Sequence, residues 1–262
     1  MYEWLEGVKI GLSLILLAYA SWHDYRKREV PNEVWMLLAP SGLILTLVQI
    51  FITPQNSLII SLASSFLTVT GIALALFYLG VFGGADAKAL ICLSLILPFP
   101  LTAFRPHLGI VSPLFSLSIF DNAILTSALT TVGILAYNLT WSVKTGEKLF
   151  EGLEGESSWR KFLALITGYK VEPTKFGEKP HLIPLERLTE EENGRITRHL
   201  RVFINVNEEE TGIENLDRFS EKVKGKIWAT PSLPFIIFIT IGLVLTLFLG
   251  DIILWLAFQI IK

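Results

Sequence analysis

Long apolar runs alternate with short polar breaks along this chain. A membrane-spanning helix needs about 20 mostly apolar residues. Six runs meet or approach that length, at 4–22, 34–52, 57–80, 87–103, 114–141 and from near 233 to a point between Gly250 and Ile261. The fourth is the shortest and carries Pro98 and Pro100 near its end. A long polar stretch, 142–230, separates the fifth run from the sixth. Inside it, "SSWRKFLALITGYKV" reads as an amphipathic helix followed by a turn, and "HLIPLERL" and "LRVFINVN" read as short strands. The "EEE" runs at 190–192 and 208–210 read as solvated turns. The expected fold is mainly α. It is a polytopic membrane protein with six transmembrane helices and a small α+β cytoplasmic domain inserted before the last. The expected domains are 1–141, 142–230 and 231–262.

Composition supports that division. The 262 residues are 52% hydrophobic and 18% charged, where a soluble domain is nearer a quarter charged. Between 142 and 230 lie 15 of the 22 Lys/Arg and 16 of the 24 Asp/Glu. The net charge of -2 implies no attraction to nucleic acid. One cysteine, Cys92, allows neither a disulfide framework nor a Cys-based zinc site within one chain. The run at 4–22 ends in "AYAS", which resembles a signal-peptidase site. Its leading region, however, holds Glu3 and Glu6 with only Lys9, not a basic n-region, so a retained helix is expected.

Basic loops set the expected orientation. "DYRKRE" places the end of the first run in the cytoplasm, and alternation brings "FGGADAK" and the polar insert to that side. The N-terminus then faces outward, and Asp24 and Asp86 reach the same membrane face.

Carboxylates beside membrane helices are costly and mark function by default. Two that approach closely cannot both stay ionised and come to share a proton. The ionised member can activate water while the other protonates a leaving amine, which is peptide hydrolysis by the aspartic mechanism. Gly83 and Gly84 leave room for a substrate backbone or a partner helix. A helix dipole favours the Asp86 anion. The competing explanations are an ordinary helix N-terminal cap at Asp86 and, at Asp24 amid "HDYRKRE", an interface residue paired with its basic neighbours.

Three stretches together, "DYRKREVPNEVW", "GGADAKAL" and "KGKIWATPSLPFIIFITIG", resemble the archaeal prepilin and preflagellin peptidases, a branch of the GxGD intramembrane aspartyl proteases. The Asp…Pro-Asn pattern maps onto Asp24, Pro31 and Asn32. GxGD maps onto Gly83, Gly84, Ala85 and Asp86, with Ala85 where the second glycine stands. The Pro-rich start of the last helix maps onto Trp228, Pro231, Pro234 and Phe235. The resemblance implies cleavage of the basic leader from pilin- or archaellin-like precursors, just before their hydrophobic helix and at the cytoplasmic face. It implies Asp24 and Asp86 as the catalytic pair, without metal or cofactor. Lys88 would bind the substrate or tune Asp86, or else snorkel to the interface. Bacterial relatives often add a CxxC zinc domain and N-methylate the new terminus. Neither a CxxC pair nor a glycine-rich cofactor loop is present here, so no methyltransferase activity is expected. The precursor and the lipid bilayer are the expected partners.

Other ionisable groups have less defined roles. Asp121 is an interface cap if its helix starts near Ile119. Asp251 is one if the last span ends at Gly250, leaving the C-terminal "IILWLAFQIIK" along the interface. Glu29 and Glu33 become i, i+4 neighbours if that stretch is helical. His23 should point about 100° away from Asp24 on a helix. A different class, a proton-coupled transporter or channel, would use Asp24, Asp86 and Asp121, but would want them near the membrane midplane.

Overall fold

The computed structural model describes residues 3–173, 176, 182–190, 196–201, 225–231 and 234–261. The helices α1 (Glu3–Lys27), α2 (Asn32–Ile52), α3 (Asn56–Tyr78), α4 (Gly84–Ile96) and α5 (Phe115–Thr145) come first. The helix α6 (Ser158–Thr167) and strands β1 (Tyr169–Val171), β2 (Leu182–Pro184), β3 (Glu186–Glu190), β4 (Ile196–Leu200) and β5 (Ile227–Pro231) follow. Helices α7 (Phe235–Phe248) and α8 (Ile252–Ile261) close the chain. Two compact units result: residues 1–127 with 234–262, and residues 128–233.

In the first unit, α4 is the central element and packs against α1, α2, α3 and α7. Its residues Leu90, Leu93 and Ile96 are fully buried among Leu17, Leu38, Ile239 and Leu243. Close approach depends on small residues. A Cβ on Gly42 would lie 2.6 Å from Ile96 Cβ, and one on Gly242 would collide with the Ile119 carbonyl. Polar side chains tie helices together where lipid offers no partners. Thr46 Oγ1 donates to the Leu95 carbonyl at 2.8 Å, and the Ser65 and Ser116 hydroxyls lie 2.9 Å apart.

Among the described residues, α1, α2, α3 and α5 are long and apolar enough to cross a membrane. The count rises to five if the bent pair α7–α8 forms one span. The expected six-span pattern is modified at α4 and at the C-terminus. α4 has 13 residues, about 20 Å of helix against about 30 Å of hydrocarbon. It stops because the residue before a proline is pushed out of the helical region and the proline itself has no N–H. Leu97, before Pro98, sits at φ -126 and ψ 60. The non-helical chain beyond is satisfied by protein. The buried Glu6 carboxylate accepts the backbone N–H groups of Thr102 (2.9 Å) and Ala103 (2.8 Å). Gln49 also donates to Glu6 while accepting from the buried Lys9 at 2.9 Å. α7 and α8 meet at 59°. The bend is at Gly250, whose φ of +97 and contact with the Ile110 carbonyl exclude a side chain.

In the second unit, β1–β5–β2 form an antiparallel sheet and β3–β4 an antiparallel pair. Trp228, fully buried, stacks on Phe150 at 5.0 Å and packs with Leu153, Ala164, Leu185 and Leu200. Glu186, with its side chain fully buried, accepts two bonds from Arg198 (2.7 and 2.9 Å) and one from the Trp228 N–H (2.7 Å). "HLIPLERL" does form β2 and β3; "SSWRKFLALITGYKV" forms the expected helix α6, but its end is strand β1, paired with β5, rather than a turn. In "LRVFINVN", strand β4 ends at Leu200, and residues 202–207 lie outside the described set, as do 191–192 and 208–210 of the two glutamate runs. Glu190 is strand, not turn. Trp228 belongs to a strand core here rather than to the start of the last helix.

Candidate active site

Helix ends assemble this region. Asp24 lies in the last turn of α1, one turn past Ser21, whose hydroxyl meets Thr240 of α7 at 2.8 Å. α1 stops at Arg28, which takes the left-handed conformation (φ 57) while its N–H bonds the Asp24 carbonyl at 3.0 Å. Pro31 then precedes α2, with its fixed φ of -56, and Asn32 is the first helical residue. Because residues 29–31 are not helical, Glu29 and Glu33 are not i, i+4 neighbours, and both are exposed.

The second half comes from the loop after α3. Gly80 (φ +73) turns the chain, and the Val81 and Phe82 amides bond back to the Leu76 carbonyl. Phe82 is buried and contacts Phe235 at 4.8 Å and Phe120 at 6.1 Å, which pins the glycine pair beside the start of α7. Asp86 is the third residue of α4. Its Oδ2 accepts the Gly83 N–H at 3.0 Å. The Ile236 amide at the start of α7 lies close to the same carboxylate. Two helix N-termini therefore face one carboxylate, and each presents free N–H groups there.

Asp24 and Asp86 are near enough to interact through their charges. Asp24 also interacts with the Arg28 charge. Asp86 Oδ1 is inaccessible to solvent and has no hydrogen-bond partner among the described residues. Buried polar atoms rarely lack partners, and a catalytic role is one of the reasons for which one does. A pair of interacting carboxyls with one unpartnered oxygen can hold a proton, accept one from water, or donate one.

The other expected site residues divide into two groups. Gly83 touches the carboxylate: a Cβ there would lie 3.2 Å from Asp86 Oδ2. Gly84 meets only Phe77 Cε2 at 3.8 Å, so no partner helix presses on it. Lys88 turns to Asn32 and donates to its Oδ1 at 2.8 Å. A cleft of about 550 Å³ opens beside that bond, lined by Trp35, Ala39, Pro40, Ile91 and Cys92.

Asp121 is not brought to this site. α5 starts at Phe115, so Asp121 is interior to the helix, not its cap, and its carboxyl lies within hydrogen-bonding reach of Asp251. Asp251 is fully buried, accepts from Ser118 Oγ at 2.7 Å and caps α8 through the Leu254 N–H. His23 contacts Tyr19, and its Nδ1 is buried without a partner among the described residues. Among the described residues, no three His, Cys, Asp or Glu side chains gather as a metal site would require. Two contributors had no separate signal in the sequence. They are the Ile236 amide, which needs α7 to be placed, and Arg28, one of several basic residues in its loop.

Residues 11–141 match the model of the type IV leader peptidase family, and residues 160–252 match that of the archaeal peptidase A24 C-terminus, type II. The chain belongs to the type IV leader peptidase family. Asp24, Pro31, Asn32, Gly83, Gly84, Asp86 and Lys88 all fall within the first match. The preflagellin peptidase of Methanococcus voltae is 29% identical over 250 residues, which is 93% of this chain and 96% of that protein. The preflagellin peptidases of Methanococcus maripaludis (strain C6) and Methanocaldococcus jannaschii are each 26% identical, covering 96% and 90% of this chain and 96% and 91% of their own.

Proposed function

We propose that this protein is a membrane-embedded aspartic endopeptidase that removes the basic leader from preflagellin- or prepilin-like precursors. Asp24 and Asp86 are its catalytic pair. The observation that carries this reading is the unpartnered Asp86 Oδ1 beside a second, interacting carboxyl at the ends of two helices. The family and the preflagellin peptidase activity by which the three relatives are named supply the substrate class.

The chemistry follows from two carboxyls sharing one proton. The ionised carboxyl takes a proton from water as the water oxygen attacks the scissile carbonyl carbon. The protonated carboxyl gives its proton to the carbonyl oxygen. In the collapse of the resulting diol, the amide nitrogen gains a proton, the C–N bond breaks, and one proton remains on the pair. The Gly83 and Ile236 amides hold Asp86 in place for this cycle. Lys88 and Asn32 border the cleft that Trp35 and Ile91 line, and in this reading they position the substrate chain.

In this reading the pair faces the cytoplasm, because "DYRKRE" at the end of α1 is the basic loop that stays inside. Residues 142–230 are cytoplasmic and the N-terminus is outside. The protein cleaves without metal and does not methylate the product.

The test uses membranes containing the wild type, Asp24→Asn or Asp86→Asn, with a precursor that has a basic leader before an apolar helix. Loss of general acid–base catalysis should lower cleavage by roughly 10²–10⁴-fold in each variant. Undiminished cleavage by either variant, with both proteins folded, removes that aspartate from the mechanism.

A further inference from the structure

The cleft between α2 and α4 carries a positive charge that no acidic residue on its walls balances. Its volume is about 550 Å³, and buried Trp35 and Cys92 line it together with half-buried Ile91. Lys88 Nζ donates to Asn32 Oδ1, a neutral acceptor, and makes no ion pair among the described residues. An ammonium has three N–H donors, so Lys88 keeps donors for a ligand. Met36 and Pro40 also line the cleft. Pro40 lies inside α2 and has no N–H, so the Met36 carbonyl lacks its helical donor. The cleft therefore offers donors at one end and an acceptor on its wall. A peptide group is the complement of both, whereas a lipid acyl chain has no N–H for that carbonyl.

Lys88 follows Asp86 by two residues on α4, which turns it about 200° round the axis and moves it about 3 Å along. The cleft thus opens on the other side of α4 from the Asp86 carboxylate. A chain held at Asp86 reaches it by crossing the start of the helix. That start is Gly83, Gly84 and Ala85. Gly83 is exposed, and a Cβ on Gly84 would meet only Phe77 Cε2, at 3.8 Å. No long side chain of these three residues bars the way. A helix is about 10 Å across and extended chain covers about 3.3 Å per residue, so roughly three or four residues separate the cut from the cleft.

We infer that the cleft is the subsite for the precursor's apolar segment, and that it receives roughly the third to fifth residues beyond the cut. The inference rests on the peptidase reading above. Charge decides which end of the precursor enters. Lys88 repels the basic leader, and the walls around Trp35 and Ile91 would desolvate the leader's cations with no counter-charge at hand. The apolar segment meets neither penalty. Its peptide groups, extended near the cut, find the Lys88 N–H groups and the Met36 carbonyl as partners, which the hydrocarbon around them cannot supply.

The test uses the full chain in phosphatidylcholine–phosphatidylglycerol vesicles, with a cysteine-free precursor that has a basic leader before an apolar helix. Cys92→Ala removes the native thiol, and Asp86→Asn keeps the precursor intact. Met36→Cys then places a thiol on the exposed rim of the cleft; Leu37→Cys, exposed but outside the lining, is the control. Single cysteines are stepped through the precursor from leader to apolar segment, and a mild oxidant forms disulfides, which need Cα atoms within about 7 Å. Disulfides with residue 36 should peak roughly four residues beyond the cut and exceed those with residue 37 several-fold. In the otherwise wild-type chain, Ala39→Phe fills the cleft and should raise KM several-fold, more than it lowers kcat. If the wild type cleaves, any of three results overturns the inference: a peak in the leader, an unchanged KM for Ala39→Phe, or no disulfide at any position, which would leave the cleft to lipid. Failure of the wild type to cleave any such precursor would remove the peptidase reading itself, and the inference with it.

Discussion

Gly83 and Gly84 are adjacent in one motif, yet the structure gives them unequal roles. Gly83→Ala adds a Cβ 3.2 Å from Asp86 Oδ2, the atom that accepts the Gly83 N–H at 3.0 Å. The backbone itself does not resist the change. At φ -71 and ψ 159, residue 83 lies in a region open to alanine. The carboxylate must therefore retreat by a few tenths of an ångström and stretch the bond that fixes it. A hydrogen bond to a charged group contributes about 1.5–3 kcal/mol. Losing part or all of it costs about 1–3 kcal/mol, roughly 5- to 150-fold in kcat if Asp86 is a catalytic group. Gly84→Ala meets only Phe77 Cε2, at ordinary contact distance, and should stay within about twofold of wild type. Initial rates of leader removal in reconstituted vesicles, with the thermal transition measured beside them, separate the two. A fully active Gly83→Ala, or a Gly84→Ala more impaired than it, would refute the argument that the Gly83 amide orients Asp86.

Further expectations concern the scaffold. Glu186→Gln leaves the Arg198 guanidinium without its buried counter-charge and should destabilise the second unit by about 2–4 kcal/mol, read as a lower thermal midpoint in the near-ultraviolet signal of its tryptophans. Gly250→Ala forces a side chain into a positive-φ position against the Ile110 carbonyl, so it should cost at least about 1–2 kcal/mol of stability; an unchanged denaturation midpoint would contradict this. Burial pushes the Glu156 carboxyl up, but hydrogen bonds from His199, the Leu200 N–H and Arg160 outweigh it and hold the group below the usual carboxylate range. A depressed folded value means stability that is present above the ordinary carboxylate range and lost as pH falls through the lowered one. Glu156→Gln should flatten the acid limb of a stability–pH profile.

How much of this was legible from the chain itself depends on the range of the interaction. The apolar runs at 4–22, 34–52, 57–80 and 114–141 became α1, α2, α3 and α5, because a helix in lipid needs only length and apolar composition. The amphipathic α6 was legible from its 3.6-residue period. Asp24, Asp86 and the Pro31–Asn32 pair stood out because charge and helix punctuation are rare beside membrane segments. The break at Gly250 was visible as one of two possible ends for the last span. What the residues alone did not settle was which partners meet. The turning of Lys88 to Asn32 rather than to Asp86 depends on how α2 packs against α4. The pairing of Asp121 with Asp251 depends on α5 lying beside the α7–α8 bend. The 13-residue length of α4 required two things together: the proline break and the Glu6 carboxylate, nearly a hundred residues earlier, waiting to receive the Thr102 and Ala103 amides. Local periodicity and punctuation are short-range, so the sequence determined the elements. Hydrogen bonds and close contacts between distant residues form only once helices pack, so the tertiary structure alone decided which side chains share a site.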